Sequence, residues 1–471
     1  MENMLDPNPN RTAVWHELRN AIRGSEADYT RISLRKAIFL LAVPMILELI
    51  MESTFAIVDI YFVGKLGASA VATVGLTETY LFLLYAVGIG LSMAVTAVIA
   101  RRVGEKREKE AGLAAVQAIL IGLLASLPFA IAGFFFSREL LTIMGADPWV
   151  IKEGYRYTQW MLGFNAVIML LFVVNAIFRG AGDAAVAMRV LIVANLFNII
   201  LDPLLIFGLG PIPALGIEGA AIASVIGRAI GVALQVHMLI RGSKHLKILR
   251  SQVRIESAAM LNILKTSVGG IGQMLVAMTS WIFLMRILAE ISSEAIAGAT
   301  ITIRIMMFTM LPAHGLANAA ATLVGQNLGA NQPDRAESSV WKIGVYNMIF
   351  LIAVSIVYLL FSRELVAIFS DDPEVIAIGS QWIRILSYSY FVYGWWMVSV
   401  NAFNGAGDTR TPTLINIVFF WMFQIPLAWY LALHLDQGAT GVFWAVFASE
   451  TSVGLFTLWL FSRGKWKKTR V

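Results

Sequence analysis

The sequence predicts an all-α polytopic membrane protein with twelve transmembrane helices in two related lobes of six. Three observations indicate this fold class. Of the 471 residues, 58% are hydrophobic and 14% are charged, and mean hydropathy is +0.74, whereas soluble domains carry about 25% charged residues. Apolar runs long enough to cross a bilayer recur along the chain, and several motifs repeat at one fixed spacing. Cysteine is absent, which excludes disulfides and thiolate metal sites.

The apolar runs number twelve. A helical span needs about 20 mainly apolar residues, and polar loops with Gly or Pro separate the runs. Several exceed 25 residues, so we expect tilt, kinks or extension beyond the bilayer. The predicted limits are 37–63, 70–99, 112–136, 150–178, 185–207, 215–240, 257–288, 294–324, 337–361, 374–403, 411–434 and 438–462.

Residues 1–36 are predicted to form a cytoplasmic N-terminal extension. The first apolar run begins too late for a typical cleavable signal peptide. Trp15, Leu18 and Ile22 share one helical face, which favours a short amphipathic helix lying on the membrane. A disordered tail is the alternative.

Lysine and arginine predict the orientation. They are concentrated in the leader, in 101–109, in 241–254 and in the tail 463–471, which all lie on one side if the spans alternate. The positive-inside rule therefore places both termini in the cytoplasm, in a cell inner or plasma membrane. The net charge of +6 is then a topology signal, and we expect no nucleic-acid partner.

An internal repeat divides the chain into two halves. SRELLTIMGADP (137–148) aligns with SRELVAIFSDDP (362–373), and FRGAGD (178–183) with FNGAGD (403–408), both at an offset of 225. Each half holds six spans, an even number, so the two halves enter the membrane from the same side and are parallel repeats. The predicted lobes are 37–240 and 257–462, joined by the basic linker 241–256.

These motifs resemble the multidrug and toxic compound extrusion (MATE) family. The resemblance rests on Pro44, VDIYFVGKLG (58–67), the FRGAGD/FNGAGD pair, and NIILDP (198–203) followed by GAAIAS (219–224). It implies a V-shaped antiporter that exports small amphipathic organic cations by alternating access, driven by protons or sodium and without a cofactor. We expect a monomer in contact with membrane lipid.

Three carboxylates lie in the first span with no basic residue beside them. Glu48, Glu52 and Asp59 fall within roughly 40° of one helical face, and a charge at mid-membrane costs about 2.5–3.5 kcal/mol on insertion scales. At the offset of 225, Glu48 falls on Gln273, and the other two fall on apolar residues. Acids specific to one lobe indicate function, and Pro44 makes a bend in this helix available.

The fifth span offers a partner for Asp59. Asn198 and Asp202 share one helical face, and Pro203 is expected to limit the helix there; Asp202 could alternatively cap or stabilise a helix end. The resemblance places carboxylates like Asp59 and Asp202 in one cavity. It adds Tyr157 and Asn175 of the fourth span and Ser224 of the sixth.

The predicted coupling group therefore comprises Asp59, Asp202, Asn198, Asn175, Tyr157, Glu52 and Ser224, with Pro44 as the hinge. A sodium ion could bind Asp59, Asn198 and Asp202, and no other metal site is predicted. Gln273 replaces an acid used by some family branches, and 383–403 holds no acid. This departure argues against a cation site in the second lobe, and it favours protons and the branch of DNA-damage-inducible F (DinF)-like proteins.

Other polar and adaptable side chains have open roles. Glu48, Gln273, Met306 and Met310 are candidates for a substrate cleft, although interior or lipid-facing packing is the alternative for the methionines. Arg228 and Glu450 occupy corresponding positions in the two halves. Each could belong to an interior ion pair or to the cleft.

Two other functions compete with export. A lipid-linked saccharide flippase would often have more spans and a more basic cavity. A membrane-embedded enzyme would need a catalytic cluster, but the five histidines are widely spread and no phosphate-binding P-loop occurs. We therefore predict a transporter that is not an enzyme.

Overall fold

The computed structural model describes residues 11–25, 27–208, 210–242 and 246–469. The first lobe contains α2 to α8 and the second contains α9 to α15, with α1 ahead of them. Their bounds are α1 Arg11–Arg23, α2 Leu34–Gly64, α3 Ala68–Gly104, α4 Glu108–Ile143, α5 Pro148–Gly163, α6 Ala166–Ala181, α7 Ala184–Phe207, α8 Ile217–Arg241, α9 Ser257–Ile291, α10 Ser293–Gly329, α11 Pro333–Ala367, α12 Pro373–Ser387, α13 Tyr390–Ala406, α14 Arg410–His434 and α15 Gly438–Ser462.

The helices account for twelve membrane crossings. Eleven spans in the described residues are long and apolar enough to cross a bilayer, one of them formed by α5 and α6 together. Their counterparts in the second half, α12 and α13, have 15 and 17 residues, so each is too short to cross a bilayer alone, and they are separated by Tyr388 and Ser389. Together these two helices make the twelfth crossing, so the predicted span number is confirmed.

The backbone repeats at the offset found in the sequence. Helices α3 and α10 begin and end 225 residues apart. The kink at Phe136 in α4 recurs at Phe361 in α11, with almost the same dihedral angles. Lys106 and Asn331 both have positive φ, at 60° and 58°. The internal repeat is therefore confirmed as a repeat of helices, kinks and turns.

Helix α2 is shared between the two lobes. Its first half, including Leu40, Leu41 and Met45, packs into the apolar core of the second lobe. Its second half carries the acids and lies against α7. Pro44 is buried at the end of the first half, and α2 continues through it without interruption. The proline therefore stands where the helix passes from one lobe to the other.

The lobes meet near the side that carries the basic loops. Gly90 of α3 lies so close to α9 that a Cβ atom there would be 2.3 Å from the backbone nitrogen of Ile271. A Cβ atom added to Gly315 of α10 would likewise lie 2.5 Å from Cγ1 of Ile46 on α2. Toward the opposite side, Phe82 and Met307 are exposed. The lobes diverge there, which gives the V shape.

One prediction about a helix end is wrong. Pro203 does not limit its helix, because α7 continues to Phe207. A proline removes one backbone hydrogen bond, and neighbouring helices can satisfy the freed carbonyl in a membrane protein. Asp202 therefore lies within α7 and does not cap it.

The N-terminal extension contains a helix, as the amphipathic pattern indicates. In α1, Ala21 is buried, whereas Trp15 is 69% exposed. The following loop is fastened to both lobes, because Asp28 pairs with Lys106 at 2.6 Å and Arg335 donates to the Tyr29 carbonyl oxygen at 3.0 Å. Residues 1–10 of the predicted extension lie outside the described residues.

Candidate functional site

A chain of polar side chains connects three helices inside the first lobe. Asn198 Nδ2 on α7 donates to Asp202 Oδ1 at 3.1 Å and approaches the Ser224 hydroxyl of α8 at 3.4 Å. Ser224 also lies beside the Asp59 carboxylate of α2. The structure therefore brings together four of the predicted coupling residues.

This chain leaves oxygen atoms without partners. Asp59 Oδ1, Asn198 Oδ1 and Asp202 Oδ2 are all buried and accept no hydrogen bond in the described structure. An unsatisfied buried acceptor is costly, and carboxylate and amide oxygens suit a proton or a hard cation. The described residues contain no cluster of three or more His, Asp or Glu side chains that could hold a metal ion.

Tyr157 and Asn175 occupy different surroundings. Tyr157 is 3% exposed and interacts electrostatically with Asp59 and Glu78. Asn175 instead accepts a hydrogen bond from Gln235 of α8. Tyr157 therefore lines the carboxylate cluster, and Asn175 joins α6 to α8 beside it.

Glu48 does have a basic partner. Arg179 of α6 binds its carboxylate at 2.9 Å, and both side chains are largely buried. The view that the first-span acids lack basic partners is wrong for Glu48, because the partner comes from another helix. Arg179 lies in the FRGAGD motif, and its repeat counterpart is Asn404, just as Glu48 corresponds to Gln273. A comparison of the two halves would have revealed this pair.

Arg228 is the second basic group of the lobe. It interacts electrostatically with Glu52, Asp59 and Glu78, and its guanidinium carbon lies 4.9 Å from the centre of the Phe55 ring. Its Nη1 atom is buried without a partner. Arg228, Glu52 and Phe55 line a small pocket among α2, α6, α7 and α8. Arg228 thus belongs to the carboxylate cluster.

The family match decides the identity of this fold. The MatE family profile matches residues 44–204 and 270–430, one copy in each lobe. The chain belongs to the MatE family. As a MatE protein it is a multi-pass membrane transporter and not an enzyme, and the family implies small organic substrates.

Curated MatE relatives match the chain over most of its length. A probable multidrug resistance protein NorM of Thermotoga maritima is 25% identical, and the alignment covers 93% of this chain and 94% of the relative. A probable multidrug resistance protein YoeA of Bacillus subtilis is 26% identical over 93% of this chain and 96% of that protein. A Shewanella oneidensis protein named as an FAD transporter is 24% identical over 90% and 93%.

Solved structures share the MatE fold. A multidrug resistance MATE transporter in an outward-facing conformation superimposes with a TM-score of 0.86. It is 22% identical, and the match covers 95% of this chain and 99% of that one. Assignment of this MatE chain to the DinF-like branch remains a prediction.

The remaining cleft candidates of this MatE chain are not open to the cleft. Gln273 is 3% exposed, and Met306 and Met310 are each 6% exposed within the core of the second lobe. Glu52, by contrast, is exposed and lines the pocket beside Arg228.

Sequence reasoning missed Glu78. This residue lies in the first half of α3 and interacts electrostatically with Arg228 and, across the cleft, with Arg304 of α10. An acid within the apolar run 70–99 was the available signal.

Proposed function

We propose that this MatE transporter is a cation-coupled antiporter that exports amphipathic organic cations by alternating access. The coupling ion is a proton in preference to sodium, and it acts on the carboxylates of the first lobe. Both termini face the cytoplasm, and the protein works as a monomer in a cell inner or plasma membrane.

The observation that carries this proposal is the polar chain from Asp59 through Ser224 and Asn198 to Asp202. Its buried oxygens lack partners, and Asp59 and Asp202 act on each other electrostatically. Two carboxylates in one apolar site disfavour the doubly ionised state. A cation that binds there relieves this repulsion and satisfies an orphan acceptor.

Binding of a cation at this site would change the position of α2 between the two lobes. Asp59 is on the half of α2 that faces α7 and α8, and Pro44 is at the boundary with the half that packs on the second lobe. A change of charge at Asp59 would therefore bend α2 at Pro44. One proton moving down 100 mV supplies about 2.3 kcal/mol, and one pH unit adds about 1.4 kcal/mol, which suffices for modest substrate accumulation.

Gradient-driven transport by purified protein tests the proposal. Proteoliposomes with an imposed pH gradient, or separately an imposed sodium gradient, should move ethidium against its own gradient, more strongly with protons. Asp59→Asn should abolish the coupled movement, because an amide cannot take up the proton. Asp371→Asn, in an exposed loop, is the matched control and should transport normally. Undiminished transport by Asp59→Asn would remove Asp59 from the mechanism.

A second candidate function concerns an anionic substrate group. Arg228 presents a buried, unpartnered N–H in the pocket beside Glu52, and one relative is named as an FAD transporter. A guanidinium binds carboxylates and phosphates well. On this candidate, FAD should compete with ethidium and slow ethidium transport by the unmodified protein, and Arg228→Met should remove that competition. If both results are obtained, this candidate replaces the first.

A further inference from the structure

The second lobe contains a buried acid that the proposed coupling site does not use. Glu450 of α15 is 5% exposed, and its Oε2 lies 3.4 Å from the Ser389 hydroxyl, which also donates to the Leu386 carbonyl oxygen at 2.9 Å. Ser389 is fully buried and lies in the break between α12 and α13. Transporters bind ions at broken helices, because helix ends and freed backbone groups are available there.

No base compensates this carboxylate in the part of the chain that the structure describes. Helices α9, α12, α13 and α14 pack against α15, and the groups on them that act on Glu450 are Ser389, Tyr390 and Tyr393. Its repeat counterpart is Arg228, on the alignment of Gly216 with Gly438, which share a φ of 57°. The equivalent position thus holds a cation in one lobe and an anion in the other.

A neighbouring donor is also unsatisfied. Tyr390 is completely buried, and its hydroxyl has no hydrogen-bond partner within the described structure. The adjacent Tyr358 donates to the Ile305 carbonyl oxygen and shares a hydrogen bond with Thr309. The Tyr390 hydroxyl adjoins Tyr358 and acts electrostatically on Glu450, so its oxygen is available as a ligand beside the carboxylate.

We propose that Glu450, Ser389 and Tyr390 form a second monovalent-cation site, for a proton or Na⁺, at the break in the tenth span. A bare carboxylate buried without a base is strongly disfavoured, so the site holds either a proton on Glu450 or a sodium ion bound by the carboxylate and hydroxyl oxygens. Its part in transport rests on the proposed antiport, whereas cation binding itself does not.

Infrared difference spectra of the purified protein test the site without transport. A pH change or addition of NaCl should alter a carboxyl band that disappears in Glu450→Gln and persists in Asp59→Asn. Asp59→Asn should remove a separate band. The spectra therefore distinguish failure of the Glu450 site from failure of the Asp59 coupling site. A pH-dependent band that does not respond to NaCl identifies the proton, and one that responds to NaCl at fixed pH identifies Na⁺.

Conservative variants separate binding from misfolding. Ser389→Ala and Tyr390→Phe keep the carboxylate and should shift the midpoint of the Glu450 band in pH or in NaCl concentration. Glu374→Gln, which removes an exposed acid of the same lobe, should leave the Glu450 band unchanged. The proposal is overturned if Glu450→Gln, eluting as a monodisperse protein, gives the same difference spectra as the unmodified chain. It is equally overturned if the Glu450 band responds to neither pH nor NaCl.

Discussion

The buried ion pair between Glu48 and Arg179 ties α2 to α6 within the first lobe. Removal of one partner leaves an uncompensated buried charge, which typically costs about 3–5 kcal/mol. We therefore expect Glu48→Gln to lower the midpoint of thermal unfolding in detergent. The double variant Glu48→Gln/Arg179→Asn reproduces the neutral residues of the second lobe, Gln273 and Asn404.

The double variant should recover most of the lost stability. Its thermal midpoint, measured beside both single variants, completes a double-mutant cycle. If the double variant is as unstable as Glu48→Gln, the pair does not act as a unit.

A second residue-scale prediction concerns pH and the loop ahead of α2. Burial raises the pKa of Asp28, but hydrogen bonds from Lys106 and Thr30 outweigh it and lower the pKa from 3.8 to about 2. A lowered pKa in the folded state contributes stability above the unfolded pKa, and this stability is lost as pH falls through the folded value. Asp28→Asn should therefore destabilise at pH 7 and have little effect near pH 2.

Unfolding midpoints of Asp28→Asn and the unmodified protein at several pH values check this sign. Lys106→Met should show the same pH dependence, because it removes the other half of the contact. A destabilisation that is equally large at both ends of the pH range would contradict the assigned role of the Asp28 charge.

At the scale of the element, the close approach of α3 to α9 holds the lobes together. A Cβ atom at Gly90 would meet the backbone of α9, where no flexible side chain can give way. Gly90→Ala should therefore disfavour the conformation in which the basic side is closed. Gly75→Ala on the same helix is the matched control, because nothing lies within 4 Å of its added carbon.

Labelling of introduced cysteines measures this shift, since the chain has none of its own. A single cysteine at Thr266, half-buried on the basic side of α9, should react faster in the Gly90→Ala background. Equal labelling rates in the Gly90→Ala and Gly75→Ala backgrounds would show that the contact does not control the conformation.

Elements specified by motifs within the sequence were predictable, whereas features that depend on contacts between distant helices were not. The repeat offset anticipated that α3 and α10 would match, because the same motifs specify the same turns in each half, but it did not predict the breaks within 150–178 and 374–403. The helix end at Pro203 was wrong, since propensity at a proline was overridden by packing of α7 in its lobe. Likewise, the acids of α2 were apparent along the chain, whereas their partners Arg179 and Arg228 come from distant helices.

At the scale of the whole molecule, opposite charges face each other across the cleft. Glu78 on α3 acts electrostatically on Arg304 of α10, and α3 and α10 are repeat counterparts. Alternating access requires this side of the cleft to close. The double variant Glu78→Cys/Arg304→Cys should therefore cross-link when substrate and the cation gradient drive turnover, and only weakly at rest.

The cross-linking yield with and without turnover measures this closure. After protease cleavage of the 241–256 linker, cross-linked and uncross-linked halves differ in gel mobility. The pair Thr79→Cys/Arg304→Cys, one position along α3, serves as a control for orientation. A yield that does not change with turnover would show that the lobes do not alternate as rigid halves.

The central claim is that Asp59 couples a cation to substrate movement. The most direct measurement is the reverse reaction, in which an ethidium gradient across proteoliposomes drives proton movement that a trapped pH indicator reports. The unmodified protein should move protons opposite to ethidium, and Asp59→Asn should move none although it still binds ethidium. Proton movement by Asp59→Asn at the rate of the unmodified protein would contradict the mechanism.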